Sequence, residues 1–313
     1  MGAGRHVSLR LPYTQIKQSD ELMTYSSVGL IGKPAHAGAH LSLNALVNQL
    51  HKRNCRILVE SSIHQEMDDQ SLTLCSLDEI GKLADLAIVV GGDGSMLGAA
   101  RTLAQYDIHV VGVNRGNLGF LTDINPADIA RQLSLLLSGK GHTEQRFLLE
   151  VSIYRNGEKQ SSDIAVNEVV LHHGKVAHMM EFELYVDRQF VFSQRSDGLI
   201  VATPTGSTAY SLSGGGPIVT PNLNALTLVP MFPHTLSSRP LVVDADSQLT
   251  LKVSSENTEE VQISCDSHIV INLLPGDEIR INKHHNKLSL LHPPDYNYFN
   301  VLRTKLGWGT KLY

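Results

Sequence analysis

The stretch Gly91-Gly92-Asp93-Gly94-Ser95 sets one carboxylate among glycines at the end of an apolar run. Glycines permit a tight turn and a close approach of backbone to ligand. Before the turn, Leu86-Ala87-Ile88-Val89-Val90 is short, apolar and β-branched, as a buried strand requires. After it, Met96, Leu97, Ala100, Leu103 and Ala104 recur at helical spacing. Strand, glycine turn and helix together aim backbone N–H groups and a helix N-terminus at a phosphate. Asp93 is the odd member of such a cradle. A carboxylate beside a phosphate is repelled unless a cation intervenes or the acid takes part in the chemistry. The turn therefore points to phosphoryl transfer, with Asp93 next to the acceptor hydroxyl or the metal. The plain alternative is an Asp-Gly turn capping a helix.

A second stretch, Thr203 to Pro217, is dense in hydroxyls and glycines and carries one aromatic, Tyr210. It follows the strand-like Leu199-Ile200-Val201-Ala202. Free hydroxyls and amides suit ribose and phosphate, and Tyr210 could stack on a base. An ordinary Ser/Gly loop is the alternative. Asn167-Glu168, ahead of the apolar Val169-Val170-Leu171, could read ribose hydroxyls or satisfy a turn. Asp197-Gly198 has the same two readings and suits a type I′ turn. Arg195 could face a phosphate or an acidic neighbour, and a solvated arginine is the commoner case. The fifteen histidines include no pair at i, i+4 on a helix beside an acid, so a zinc site is not expected. His178 stands by itself and reads as a hydrogen-bonded structural histidine.

The elements that must position these residues follow from periodicity. Val28 to Gly32 reads as a first strand, and Leu43, Leu46, Val47 and Leu50 as the face of a helix ending near Asn54. Ile57 to Val59, Leu86 to Val90 and Val110 to Val113 read as further strands. Strands alternating with helices predict a parallel, doubly wound sheet, whose ligands bind outside the carboxyl ends of its strands. Two such ends carry unusual residues, the Asp93 turn and Asn114-Arg115-Gly116-Asn117-Leu118-Gly119-Phe120. The first lacks the third glycine of the dinucleotide fingerprint, because Leu97 stands there, and no Walker A motif occurs. Asn125-Pro126 opens another helix that stops at Ser138-Gly139. Beyond it the period changes to alternation: Phe147, Leu149, Val151 and Ile153, then Phe182, Leu184 and Val186, then Leu249, Leu251 and Val253, then Ile269, Ile271 and Leu273. Asn156-Gly157 signals a hairpin. Near the end, Tyr298, Leu302 and Leu306 share one helical face.

Composition bounds the class. The 313 residues suit two domains, and 42% hydrophobic content supports a sizeable core. A net charge of -5 argues against a nucleic-acid footprint. Cys55, Cys75 and Cys265 show no metal-ligand spacing and no even disulfide set, which fits reduced thiols. No apolar run approaches membrane-spanning length, and the start (Arg5, Arg10, Lys17, Asp20, Glu21) lacks a signal-peptide core. His6 breaks the myristoylation pattern after Gly2. These absences lead us to expect a cytoplasmic protein without membrane or nucleic-acid partners.

Taken together, the motifs resemble one family. Gly91 to Gly94, Asn114 to Leu121, Asn167-Glu168, Asp197-Gly198, Pro204 to Ser211 and Gly214 to Pro217 stand in the order and spacing of bacterial NAD kinases. The glycine-aspartate turn alone is shared with lipid kinases and phosphofructokinases, whereas the threonine-glycine-serine loop joined to the other motifs is far more specific. The likeness runs from about Val28 to the C-terminus. It implies transfer of the terminal phosphoryl group of ATP, or of polyphosphate in some members, to the 2′-hydroxyl of the adenosine ribose of NAD, with Mg²⁺ or another divalent cation carried by ATP. By the same resemblance Asp93 is the proton acceptor and Gly94 a neighbouring NAD contact, and Asn167 and Glu168 grip NAD. Phe120, His178, Arg195 and Asp197 are further binding positions. Thr208, Ala209, Tyr210, Ser211, Leu212 and Ser213 wrap the dinucleotide. The family often has Gln where His268 stands, and an arginine at Arg195 resembles members that prefer NAD to NADH.

The implied fold is α+β in two domains: an N-terminal doubly wound, Rossmann-like α/β domain and a C-terminal β-rich, sandwich-like domain. We expect an extension over 1–25, the α/β domain over 26–140, the NAD-binding domain over 141–292, and a tail over 293–313 that returns to the first domain. Family members are commonly homo-oligomers, dimers or tetramers. The competing readings are a lipid or sugar kinase sharing the glycine-aspartate turn, and a non-catalytic nucleotide-binding regulator.

Overall fold

The computed structural model describes residues 25–34, 38–115, 118–174, 179–257 and 260–309. Its first half is a parallel sheet of β1 (Ser27–Gly32), β2 (Arg56–Glu60), β3 (Thr73–Cys75), β4 (Leu86–Val90) and β5 (His109–Val113). The order is β3-β2-β1-β4-β5 with every neighbour parallel. All five residues of β4 are buried, the continuous apolar run of a strand covered on both faces. Helices α1 (Ala39–His51) and α4 (Ile129–Leu137) cover one face, through Leu43, Leu46, Leu50, Leu133 and Leu136. Helices α2 (Leu77–Leu83) and α3 (Asp93–Leu103) cover the other, through Ile80, Met96, Ala100 and Leu103. Strand order reverses between β1 and β4, which opens a crevice at their carboxyl ends. The Asp93 turn leaves β4 at that point.

The remaining strands are β6 (His142–Arg155), β7 (Glu158–Ala165), β8 (Glu168–His173), β9 (Met180–Val186), β10 (Gln189–Ser196), β11 (Gly198–Ala202), β12 (Ala225–Met231), β13 (Leu241–Asp244), β14 (Leu249–Val253), β15 (Val261–Cys265), β16 (Ile269–Leu273) and β17 (Glu278–His292). A one-turn helix α5 (Tyr210–Ser213) follows β11, and α6 (Tyr298–Leu306) ends the fold. An antiparallel sheet runs β13-β12-β11-β8-β15-β16. It packs on β9, β14, β6 and β17 around Leu171, Phe182, Leu199, Val201, Leu251, Ile263 and Ile279. The second half is therefore a β-sandwich over one apolar layer. The two halves share a strand. β17 pairs antiparallel with β6 and β14, while its Ser289 and Leu290 pair in parallel with His109 and Val110 of β5.

Local chemistry explains the joints. Asn156 (φ 52°) and Gly157 (φ 84°) are both left-handed, the type I′ geometry that joins β6 to β7. Asp197-Gly198 departs from the expected turn. Neither residue has a positive φ, and the chain passes here from β10 in one sheet to β11 in the other. The left-handed hairpin pair before β10 is Asp187-Arg188 instead. Gly198 answers a different demand, since a Cβ there would lie 2.0 Å from the Leu171 carbonyl oxygen. Asn125 caps a short 3-10 turn, accepting from the Ala127 N–H at 3.0 Å, and α4 begins only afterwards. In the terminal helix Leu302 is buried and Tyr298 and Leu306 are half-buried on the same face, with Val301 buried beside them. Ahead of it, Asp295 accepts hydrogen bonds from Gln132 and Arg131 of α4.

Candidate active site

Asp93 is the first residue of α3, after Gly92 in extended conformation. Its carboxylate accepts the Phe120 N–H at 3.0 Å through Oδ2 and the Leu121 N–H at 2.9 Å through Oδ1. The loop after β5 is thereby wrapped onto the turn after β4. Gly119 makes that wrap possible: a Cβ would fall 2.2 Å from Asp93 Oδ1 and 2.3 Å from Thr122 Oγ1. The acid is half-buried and fixed in place, with one lone pair on each oxygen still uncommitted to these amides.

A cleft of about 550 Å³ opens beside the turn. Gly92, Gly94, Ser95 and Gly98 form one side, where the N–H groups of Asp93 and Gly94 begin α3 without intrahelical partners and the Ser95 N–H is taken by the Gly92 carbonyl oxygen at 3.0 Å. Lys33, after β1, and Arg115, after β5, bring two cations to its lining. The Nε and Nη1 of Arg115 are buried with no hydrogen-bond partner in the described structure. Glu60 also lines the cleft, and burial pushes its carboxyl up although the Gly32 N–H opposes this. His268 reaches the cleft from the β15–β16 hairpin, its Nδ1 2.6 Å from the Asp266 carbonyl oxygen.

The sandwich supplies a second cluster. Asp266, in the left-handed turn between β15 and β16, is 3% exposed. Its carboxylate accepts three successive N–H groups, Val166 at 2.9 Å, Asn167 at 2.7 Å and Glu168 at 3.2 Å. Arg101 of α3 lies 3.6 Å from its Oδ2, which ties this hairpin to the helix that begins with Asp93. Burial still holds the Asp266 carboxyl above the usual range, with those amides and Arg101 pulling the other way. Glu168 is likewise buried, and its Oε2 has no hydrogen-bond partner in the described structure. Burial first, and the Asp266 charge second, push it up to about 8, against a backbone hydrogen bond from Tyr210. Near neutral pH it holds a proton.

The hydroxyl-rich loop packs directly on this pair. Thr203 donates its N–H to Asn167 O at 2.9 Å and its hydroxyl to Val166 O at 2.7 Å. Gly206 fits because its missing Cβ would sit 2.1 Å from Asn167 O. Ser207 bonds Pro204 O and Thr208 bonds Thr205 O, so these hydroxyls hold the loop itself. Ser211 is buried with an unpartnered hydroxyl, Ala209 and Leu212 are half-buried, and Ser213 and Tyr210 are exposed.

The structure thus brings Asp93, Gly94, Phe120 and His268 to one region, and Asn167, Glu168 and Thr208 to Ser213 to another, joined through Arg101 and Asp266. Arg195 is exposed on β10 opposite Glu181 of β9, and Asp197 is at the crossing between sheets. His178 lies outside the described residues. The residues that the sequence did not single out are Asp266, Lys33, Glu60 and the role of Arg115. The Arg115 stretch was marked by its strand-end position, but Asp266 in a hairpin turn carried no signal of its own.

Amide donors at a helix end, two cations and a held carboxylate meet at one cleft, the parts that a nucleotide-dependent phosphotransferase needs. The ATP-NAD kinase N-terminal domain profile matches residues 28–141, and the C-terminal domain profile matches 166–292. Among curated relatives, the chain is 59% identical to an NAD kinase of Pseudoalteromonas translucida over 92% of its length and 99% of the relative's. It is 57% identical to one of Colwellia psychrerythraea, with the same shares covered, and 54% identical to one of Shewanella halifaxensis along the whole of both chains. Yeast NADH kinase complexed with NADH superposes with a TM-score of 0.83 over 94% of this chain and 90% of that one, at 24% identity. An Archaeoglobus fulgidus NAD kinase in complex with ATP gives 0.68 over 90% and 97%, also at 24% identity. The chain belongs to the NAD kinase family. It is an enzyme that phosphorylates NAD to NADP with ATP.

Proposed function

We propose that Asp93 accepts the proton of the 2′-hydroxyl of the adenosine ribose of NAD as that oxygen attacks the terminal phosphorus of ATP. The new P–O bond forms while the bond to the bridging oxygen breaks, ADP leaves, and the proton passes to the carboxylate. The observation that carries this reading is the clamp on Asp93 by the Phe120 and Leu121 amides, which presents a fixed acceptor at the N-terminus of α3. Phosphoryl transfer needs positioning and charge stabilisation more than covalent help. The N–H groups of α3, with Lys33 and Arg115, take the donor phosphates. Asn167 and a protonated Glu168 hold the ribose, Tyr210 stacks on adenine, and Thr208 to Ser213 close over the dinucleotide. Gly94, Phe120, His178, Asp197 and His268 make further contacts, and Arg195 favours NAD over NADH.

A divalent cation such as Mg²⁺ arrives on ATP and neutralises its phosphates. The described residues contain no group of three His, Cys, Asp or Glu side chains placed to hold a metal. Polyphosphate as alternative donor, a homodimeric or homotetrameric state and a cytoplasmic place complete the reading. Among the described residues no helix is long and apolar enough to cross a membrane.

The test is incubation with ATP, Mg²⁺ and NAD, followed by detection of NADP, and repetition with polyphosphate and with NADH. NADP formation that Asp93→Asn suppresses is the expected result. Turnover of diacylglycerol or a sugar phosphate without NADP would assign a lipid or sugar kinase. Nucleotide binding without turnover of any acceptor would assign a regulator.

A further inference from the structure

A second polar cluster lies where β6, the end of β17 and the tail meet. His292, the last residue of β17, has a side chain 1% exposed. Its Nδ1 stands 2.6 Å from Asp123 Oδ2, and its Nε2 makes an ion-pair contact at 3.3 Å with Glu144 Oε2. A neutral imidazole has one N–H and can serve one of the two acids. The ring hydrogen-bonds Asp123 through Nδ1 and has the Glu144 charge beside Nε2, and two carboxylates this close favour the imidazolium over the neutral ring. Glu144 turns its other oxygen to Arg146 Nε at 3.0 Å, and Arg146 Nη1 donates to Thr205 Oγ1 at 3.2 Å. The Tyr296 ring stacks on the imidazole with 3.9 Å between centroids.

Both ends of this line of contacts lie in loops of the site. Asp123 follows closely on Leu121, whose N–H holds Asp93. Thr205 belongs to the loop that carries Thr208 to Ser213, and its neighbour Gly206 sits against Asn167. Between them, β17 is the strand that pairs with both halves of the fold. Asp123, His292, Glu144, Arg146 and Thr205 thus link the loop of one domain to the loop of the other. None of the middle three is among the residues assigned to substrate.

We propose that His292 is a positioning residue: as an imidazolium it ties the loop that seats Asp93 to the loop that receives the dinucleotide, so that affinity for NAD rises with its protonation. This rests on the reading of the cleft given above. The charges facing the ring support it. Burial works against the proton, but the hydrogen bond to Asp123, after β5, and the attraction of Asp123 and of Glu144, on β6, outweigh it and hold His292 above the ordinary histidine value. His142, with ring centroid 5.2 Å away, is pushed down by its own burial and by His292, which leaves the proton of this pair on His292. Arg146 faces Glu144 rather than the ring. Burial pushes the phenols of Tyr296 and Tyr298 up, so both stay neutral over the range concerned.

The experiment is an NMR titration of isotope-labelled histidine in the full chain, with and without saturating NAD, beside NAD affinity across pH. His292 is expected to titrate above about 6.5, the free value. Saturating NAD should raise its pKa further, because linkage between two ligands is reciprocal. The Kd for NAD should weaken at least ~5-fold as pH passes that pKa, and His292→Gln should abolish this dependence. A His292 pKa at or below about 6.5, or one that ignores NAD, overturns the proposal even if His292→Gln fails to fold. A wild-type chain that makes no NADP overturns the reading of the cleft and this proposal with it. A chain that makes NADP but shows no His292 response overturns the proposal alone.

Discussion

Asp266 accepts the backbone N–H of Glu168 at 3.2 Å while its charge helps keep the Glu168 side chain protonated. One buried acid therefore both shapes the Asn167-Glu168 segment and sets its protonation. Asp266→Ala would leave the N–H groups of Val166, Asn167 and Glu168 without that acceptor and Arg101 without its charge partner. An orphaned buried donor costs about 1–3 kcal/mol. We expect a loss of roughly 3 kcal/mol or more in urea unfolding, and a rise in KM for NAD larger than any fall in kcat. Unchanged stability would remove Asp266 as the support of this segment.

Glu168 gives stability a pH dependence of definite sign. Its pKa is about 8 in the fold against an ordinary 4.5. Between those values the unfolded chain has lost the proton that the native chain keeps. Stability is therefore full below about 4.5 and falls as pH rises to about 8. Each unit of difference is worth about 1.4 kcal/mol, so the fall amounts to a few kcal/mol. Glu168→Gln removes the titrating group at equal shape. Wild type minus variant stability, from denaturant midpoints between pH 5 and 9, should become more negative with rising pH. A difference independent of pH would mean that Glu168 is ionised in the fold.

Asp93→Asn tests the acid in two ways at once. Loss of the proton acceptor should lower kcat by at least ~10²-fold with KM for NAD little changed. The amide can accept from Leu121 or Phe120 through its single oxygen, but it turns an NH₂ group toward the other N–H. A stability loss of about 1–2 kcal/mol should accompany the kinetic one. Near-normal kcat in a folded variant would take Asp93 out of the mechanism.

The exposed Tyr210 ring offers a milder test. If it stacks on adenine, Tyr210→Ala should raise KM for NAD by ~3–10-fold, the equivalent of about 0.5–1.5 kcal/mol, and leave stability near wild type. An unaltered KM would leave the ring as ordinary exposed surface.

Much of the frame was legible because it rests on local pattern. Leu86 to Val90 is buried on both faces, so its apolar run and the glycine turn after it announce themselves. β3 and α2 escaped notice: β3 has three residues, two of them exposed, although Ser76 and Glu79 form a capping box that could have flagged α2. Asp197-Gly198 misled because its dipeptide fits a hairpin, while the fold uses it to change sheets. Asp266 and His292 were illegible for a different reason. Each acts on groups 98 to 169 positions away in the chain, and no local spacing encodes such a partner. Asp93 was read from its turn alone, whereas its hold on the Phe120 loop depends on the crossing of two strand ends.

That hold can be disturbed without touching the acid. Gly119 has no left-handed φ to protect, so Ala fits its backbone, but the added methyl would meet Asp93 Oδ1 at 2.2 Å and Thr122 Oγ1 at 2.3 Å. Either the carboxylate or the loop must move. Overpacking of this kind costs about 1–3 kcal/mol, which leaves a domain-sized fold intact. A displacement near 1 Å at a reacting group is enough to cost up to ~10²-fold in rate. Gly119→Ala should therefore fold, bind NAD with nearly the wild-type Kd, and lose at least ~10-fold in kcat. Wild-type kcat in this variant would show that the position of Asp93 does not limit turnover. Reduced kcat with an equally weakened Kd would place the damage in the dinucleotide site instead.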